Sequence, residues 1–327
     1  MTRPIGVLCM AYGTAAGPGD IERYYTDIRG RAPTPEHLQE LTERYAAIGN
    51  RFPLLEITRQ QASALERELN SAHPGAFRTY LGMKHSAPFV AEGVAEMRAD
   101  GIDRAVGLVL APHWSGMSVD TYVERVEKAL ADSGGGPSFS FVRHWYDHPL
   151  FVELLAGRVR DALGRLPSER RLGAAVIFSA HSLPIRDTED GSKRCKLCIS
   201  SGCSQACRYV EQLRRTADLV AGKLGLDAYT IGWQSAGRTA DPWWGPPVED
   251  VIRDLAGAGH PAVVVCSAGF VADHLEILYD LDIEANHVAE EAGVSFVRTE
   301  MPNADPAFIR ALAAVATEHL EEMAGPR

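Results

Sequence analysis

Two stretches of this 327-residue chain hold residue types that can move protons and divalent metal ions. In one, the apolar run Ala174–Ser179 gives way to Ala180-His181-Ser182-Leu183-Pro184. Neutral imidazole accepts a proton or binds a borderline metal near pH 7, and the proline blocks immediate continuation as a helix. Taken alone, His181 fits equally a histidine hydrogen-bonded beneath a loop. In the other stretch, Ala262–Cys266 leads into Ser267-Ala-Gly-Phe-Val-Ala-Asp273-His274-Leu-Glu276-Ile-Leu-Tyr-Asp280-Leu-Asp282-Ile-Glu284. A helix beginning near Ala272 sets Glu276, Asp280 and Glu284 at i, i+4 and i+8, so their carboxylates share one face. Like charges at that spacing cost a helix about 0.2–0.5 kcal/mol per pair. A bound divalent cation offsets the repulsion; a solvated acidic face is the other reading.

Aromatic side chains gather after the same kind of apolar run. Tyr12-Gly13-Thr14 follows Ile5–Ala11, and Ala111-Pro-His113-Trp114-Ser-Gly-Met117-Ser-Val-Asp-Thr-Tyr122 follows Arg104–Leu110. Ile231-Gly-Trp233-Gln234-Ser235 and Pro242-Trp243-Trp244 come after Ala228. Four of the five tryptophans fall in these post-strand segments, an arrangement that predicts an aromatic-walled cleft for a large planar ligand.

A third cluster reads Lys193-Arg-Cys195-Lys-Leu-Cys198-Ile-Ser-Ser-Gly-Cys203-Ser-Gln-Ala-Cys207. Four thiols this dense suit a structural zinc or an iron–sulfur cluster, both of which accept four cysteines. Lys193, Arg194, Lys196 and Arg208 supply positive charge against the thiolates. Cys9 and Cys266 lie within apolar runs and read as buried thiols.

These groups need a scaffold that brings segments far apart in the chain to one place. Apolar runs at Ile5–Ala11, Phe77–Met83, Arg104–Leu110, Ser138–Val142, Ala174–Ser179, Ala228–Gln234 and Ala262–Cys266 read as strands. Between them Pro53–Leu69, Ala87–Ala99, Val119–Leu130, Leu150–Leu166, Val210–Leu224 and Val248–Ala256 carry helical spacing. Alternation of this kind predicts an α/β protein with parallel sheets flanked by helices. Asp147–Pro149 is the expected hinge between two such units, 1–148 and 149–327, with a cysteine-rich insert at 193–208 and a terminal helix over 305–324 that packs back on the first unit. In such sheets ligand chemistry sits at the carboxyl ends of strands, where each polar cluster here falls. Neither Ser133–Pro137 nor Gly13–Gly19 has a phosphate-binding glycine motif.

Composition narrows the function classes. With 33 basic and 43 acidic residues the formal charge is −10, and no basic cluster offers the footprint of a nucleic-acid binder. No stretch approaches the ~18 apolar residues of a membrane span, and the first residues lack a signal-peptide cleavage site. The chain therefore reads as cytoplasmic, where structural disulfides are disfavoured.

FSAHSLP, SAGFVADHLEILYDLDIE, AYGT, APHWSGMSVDTY and GWQSAGR with WWGP resemble the ferrochelatase family, in the right order along nearly the whole chain. The resemblance implies a chelatase-type fold of two Rossmann-like domains around a porphyrin cleft. It implies His181 and Glu276 as the facing catalytic pair, with Asp280 and Glu284 continuing an iron-delivery line. Tyr12 is similar to the Gram-positive and actinobacterial branch, whose members insert ferrous iron into coproporphyrin III. In that branch Tyr12, Thr14, Arg29, Arg44, Tyr45 and Tyr122 fall where the propionates and the ring are contacted. Phe52 stands where the branch often has serine, so that propionate hydrogen bond is either lost or taken over by Arg51. The family likeness also puts a [2Fe–2S] cluster on Cys195, Cys198, Cys203 and Cys207, ahead of zinc. It implies a monomer in transient contact with the decarboxylase that consumes its product. Left open are protoporphyrin IX as substrate, a porphyrin or haem carrier without catalysis, and a cobalt chelatase acting on a sirohydrochlorin-like ring.

Overall fold

A computed structural model of the chain describes residues 3–187, 193–195, 208–237 and 239–324. Strands β1 (Ile5–Ala11), β2 (Phe77–Met83), β3 (Arg104–Val109) and β4 (Ser138–Val142) form a parallel sheet in the order β2-β1-β3-β4. Helices α1 (Ile21–Arg29), α2 (Pro35–Ala47), α3 (Leu54–Ala72), α4 (Val90–Ala99) and α5 (Val119–Asp132) belong to this half. After α6 (Pro149–Arg165) and the single turn α7 (Ser168–Arg171), the pattern repeats with β5 (Ala175–His181). A short antiparallel hairpin, β6 (Ile185–Asp187) with β7 (Lys193–Cys195), precedes α8 (Tyr209–Leu224) and β8 (Tyr229–Gln234). Helix α9 (Val248–Gly257) and β9 (Ala262–Ser267) follow. A π-helix (Ile277–Ala285), α10 (Asn286–Glu291), β10 (Ser295–Arg298) and α11 (Pro306–Ala324) complete the order. The second sheet is parallel, in the order β10-β9-β5-β8.

The central strands are apolar on both faces because helices cover both. Val7 to Met10 of β1 and every residue of β9 are buried, as expected of parallel strands without a wet side. One apolar cluster runs through both sheets, from Val7 and Val106 to Val176 and Val264. Helix α11 packs on α3 and α6 and reaches β3 and β4, with Phe308 5.9 Å from the Trp145 ring.

Four strand expectations need adjustment by a residue or two, and one moves a functional group. β5 runs through His181 instead of stopping at Ser179, so the histidine is the last hydrogen-bonded residue of a strand. Edge strand β10 has only four half-buried residues, too few for a periodic signal. The helix expected near Ala272 begins at Leu275 and continues as π from Ile277 to Ala285.

Candidate active site

His181 and Glu276 face one another across the end of the second sheet. The last pairing of β5 with β8, His181 opposite Gln234, fixes the histidine backbone. Tyr209 at the start of α8 donates its hydroxyl to the His181 carbonyl at 3.1 Å. The imidazole Nδ1 is bonded to the Ser182 carbonyl, so Nδ1 carries the proton and Nε2 is left as an acceptor toward the cleft. Nε2 lies 4.0 Å from Glu276 Oε1, with 35% and 36% of the two side chains exposed. That separation is too long for a hydrogen bond. It equals about twice the ~2 Å length typical of metal–nitrogen and metal–oxygen bonds. Among the described residues, no three His, Cys, Asp or Glu side chains converge on a common metal position.

Glu276 reaches this place because β9 ends against β5. A Cβ on Gly269 would sit 2.4 Å from Ala180 Cβ, so only glycine lets the turn after β9 pass beside the end of β5. Behind Glu276 stands His274, a residue the sequence reading left unassigned. Its Nδ1 meets the Ala272 carbonyl at 2.9 Å and its Nε2 meets Glu276 Oε2 at 3.5 Å. Two acceptors at two ring nitrogens call for the imidazolium. Burial works against that charge, but the Glu276 carboxylate outweighs it and raises the pKa above the histidine value. Burial likewise works against a charged Glu276, yet the facing His181 imidazole, the His274 charge and the His274 hydrogen bond hold it down at about 2.

The acidic line continues in a geometry the α-helical expectation did not contain. A π-helix bonds i to i+5 and is rare outside functional sites. On it Asp280 is 5% exposed. Its Oδ2 accepts from the hydroxyl of Ser235, whose φ of 58° turns the chain after β8. Burial first, then the Glu276 charge, raises the Asp280 carboxyl to about 7 despite Ser235 and Arg44. Arg44 Nη1 is 3.8 Å from Asp280, and its guanidinium lies 4.8 Å over the Tyr279 ring. Glu284 is half-buried; its charge adds to burial in raising Glu249, a further acid that spacing did not single out. The shared face predicted for the three carboxylates is therefore a graded row, ionised at Glu276 and protonatable at Asp280.

The first sheet supplies the opposite wall. Tyr12 directly follows β1, with 44% of its surface exposed and its ring 4.7 Å from His85. Lys84 Nζ stands 5.6 Å over Tyr12 and 5.4 Å over buried Tyr122. Gly13 adopts φ 109°, and a Cβ there would lie 2.8 Å from Ser86 Oγ, which accepts from Thr14 N. Buried Tyr45 stacks on Phe52 at 4.4 Å, so the residue replacing the branch serine packs on a ring. Arg29 is exposed and lines a 290 Å³ cleft with Arg31 and His37, and Arg51 is exposed. Tyr12, Thr14, Tyr45 and Tyr122 lie together; Arg44 instead bridges α2 to the acidic row.

The indole wall needs correcting. Of its four members Trp114 and Trp233 are buried core residues, as is Trp145 outside that set, edge-on to Phe151 at 4.8 Å, because flat apolar rings after strands also fill the space under loops. The half-buried aromatic groups near His181 are Trp243 and Phe270, each 6.3 Å from the imidazole. His113 is likewise internal, its Nε2 3.0 Å from Thr216 Oγ1, and burial pushes its pKa down to about 3. Sequence reading also missed His85 paired with Asp27 at 2.6 Å, a contact between residues 58 apart that no local spacing signals. Of the cysteine set, Cys195 pairs with Ile185 in the β6–β7 hairpin, while Cys198, Cys203 and Cys207 lie outside the described residues.

A family model described as Ferrochelatase matches residues 4–320. The coproporphyrin III ferrochelatase of Bacillus subtilis is 46% identical over 321 residues, 97% of this chain and 98% of that protein. The coproporphyrin III ferrochelatase of Halalkalibacterium halodurans is 44% identical over 323 residues, 98% of each chain. Among solved structures the chain is similar to SirB from Bacillus subtilis with Fe3+, at TM-score 0.59, 10% identity and 98% of each chain. It is also similar to the sirohydrochlorin chelatase SirB from Bacillus subtilis subspecies spizizenii in complex with cobalt, at TM-score 0.56 and 11% identity, covering 98% of this chain and 97% of that one. At such identities the likeness is one of fold: two parallel sheets in a chelatase α/β arrangement.

Proposed function

The chain belongs to the ferrochelatase family, and we propose that it inserts ferrous iron into coproporphyrin III to give coproheme in haem biosynthesis, with His181 and Glu276 at the reacting centre. The observation that carries the assignment of roles is the facing pair: an imidazole nitrogen with a free lone pair 4.0 Å from a carboxylate held ionised.

Insertion exchanges two pyrrole protons for one Fe²⁺, so the site must remove water from the metal and accept protons. His181 Nε2 takes one pyrrole proton, since Nδ1 is already committed to the Ser182 carbonyl. The second proton passes to solvent, which reaches the pair because about a third of each side chain is exposed (35% and 36%). Glu284 and Asp280 offer oxygen ligands to the incoming ion in sequence, and Glu276, fully ionised, receives it. Asp280 near its midpoint at about 7 releases the ion more readily than a permanently charged carboxylate. Tyr12, Thr14, Tyr45 and Tyr122 bound the ring on the other side, Arg29 and Arg51 are the propionate partners there in this reading, and Arg44 reaches a propionate from its place beside Asp280. Binding energy from those remote contacts is what holds the macrocycle bent.

The reading includes a [2Fe–2S] cluster on Cys195, Cys198, Cys203 and Cys207, four thiols that suit four-cysteine ligation. When bound, such a cluster supplies a cross-link and a one-electron redox couple. It is coloured, whereas zinc is not, so the visible spectrum of protein purified without oxygen distinguishes them. The reading also takes the enzyme as a cytoplasmic monomer of two Rossmann-like domains, 1–148 and 149–327, that passes coproheme to its decarboxylase. Among the described residues no helix is long and apolar enough to cross a membrane.

The test is an anaerobic Fe²⁺ insertion assay with coproporphyrin III and protoporphyrin IX side by side. Faster turnover of coproporphyrin III is expected. Equal or greater turnover of protoporphyrin IX overturns the substrate, and binding without turnover of either overturns the enzyme in favour of a carrier.

A further inference from the structure

Two amides grip the turn that leads to Glu276 from outside the cleft. Asn303, between β10 and α11, holds a φ of 44°, in the left-handed region that glycine occupies more readily. What asparagine adds there is its side chain, and both of its polar atoms meet Asp273. Asp273 N donates to Asn303 Oδ1 at 2.9 Å, and Asn303 Nδ2 donates to Asp273 Oδ2 at 2.7 Å. Asn303 N donates to the Val271 carbonyl at 2.9 Å. The second amide is Gln61 on α3 of the first half, 1% exposed. Its Nε2 donates to the Asn303 carbonyl at 2.9 Å and to the Val271 carbonyl at 3.3 Å. One buried side chain of the first half thus bonds both segments of the clasp.

The clasped segment is short. Val271 and Asp273 flank Ala272, whose carbonyl accepts from His274, and His274 in turn meets Glu276. A shift at residue 271 or 273 therefore moves the imidazole behind the carboxylate and the carboxylate itself. We propose that Asn303 and Gln61 are positioning residues for metal insertion, setting the distance between Glu276 and His181 through the Val271–Asp273 turn. The inference rests on the role given to Glu276 above. Misplacement of a reacting group by about 1 Å costs up to about 100-fold in rate while leaving distant binding contacts in place.

The experiment uses the full chain with coproporphyrin III and Fe²⁺ and compares Asn303→Gly, Asn303→Asp, Gln61→Met and Glu276→Gln. Asn303→Gly relieves the left-handed backbone, so it folds with an unchanged melting midpoint while losing the side-chain bonds. The expected result for Asn303→Gly and Gln61→Met is a kcat lower by about 10- to 100-fold, with porphyrin Kd within about twofold of the parent. Asn303→Asp sets two carboxyls against each other, beside Arg298 at 3.4 Å from Asp273, with Asp282, Arg158, Asp305 and Glu300 in the surrounding ion pairs. Its kcat relative to the parent recovers between about pH 8 and about pH 6, as one shared proton restores the missing donor. A loss of turnover in Glu276→Gln with kcat within about twofold of the parent for Asn303→Gly and Gln61→Met overturns the inference alone. A pH profile of Asn303→Asp parallel to the parent also overturns it. Full turnover by Glu276→Gln overturns the role of Glu276 and the inference with it.

Discussion

The two walls of the cleft treat charge in opposite ways. On the first-half wall, burial drives titratable groups toward their neutral forms: the Tyr24, Tyr25 and Tyr122 phenols rise, and Tyr45 is pushed up to about 12. The same burial lowers Lys84 to about 8 and lowers His85, and behind the wall it takes internal His113 down to about 3. On the second-half wall, His274 is raised and Glu276 lowered, each toward its charged form, because the two sit together and His181 faces them. A neutral aromatic surface suits holding an apolar macrocycle; an ionised pair suits moving a metal and protons. Asp280, raised to about 7, breaks that pattern, as does Glu249, and Asp280 lies on the approach to the pair.

Substitutions on the charged wall should therefore cost turnover, and those on the neutral wall should cost binding. The largest effect is expected from His181→Ala and Glu276→Gln, which lower kcat by about 10²- to 10⁴-fold with porphyrin binding still measurable by fluorescence quenching. Near-normal turnover in either removes the distinction between the walls. Next comes Asp280→Asn. Below pH 7 the parent Asp280 gains a proton and loses its hold on iron, so KM for Fe²⁺ rises by up to about tenfold per pH unit. The asparagine variant shows a high KM with no such dependence; a parallel pH profile in both proteins sinks the idea.

A smaller effect concerns stability on the neutral side. His113 has a folded pKa near 3, below its unfolded value, so it is neutral in both states at pH 7 and no stability is lost there. Below about pH 6.5 the unfolded chain binds a proton that the folded chain refuses, and stability falls by up to about 1.4 kcal/mol per pH unit. Urea midpoints at about pH 7 and about pH 5.5 should diverge less in His113→Gln than in the parent. The smallest effect is Tyr12→Phe, which removes one phenol from the neutral wall. It raises porphyrin KM by no more than about tenfold, the worth of one hydrogen bond of about 0.5–1.5 kcal/mol, and leaves kcat nearly unchanged.

Much of the scaffold was legible because parallel strands buried on both faces write themselves as unbroken apolar runs. Phe77–Met83 and Ser138–Val142 agree residue for residue with the expectation. The site was legible only where chemistry coincides with such a run's end, as at His181 and in the stretch around Glu276. What stayed hidden depends on contacts across long separations. His274 looks like one more polar residue until Glu276 is seen to meet it. Ser235 matters through a carboxylate 45 positions away, and Gln61 through carbonyls more than 200 positions away. The π-helix was hidden for another reason: its first turn reads as an ordinary amphipathic helix, and nothing in residue types alone separates i→i+4 from i→i+5 bonding. Two buried tryptophans, Trp114 and Trp233, misled because an indole after a strand suits a core as well as a cleft.

The placement of α11 bears on how the molecule is made. Its Phe308, Ile309, Leu312 and Val315 complete an apolar cluster that also contains Ala62, Leu65 and Leu69 of α3, yet α3 leaves the ribosome long before Pro306–Ala324 exists. Until then the outer face of α3 has no permanent cover. The first half therefore waits, partly wet, for a helix synthesised after the second sheet. Gln61, on the same α3, can take hold of the turn before Glu276 only once Val271 and Asn303 have been made. Nascent chains halted before that helix should collect on chaperones that hold exposed apolar surface, without the capacity to handle iron.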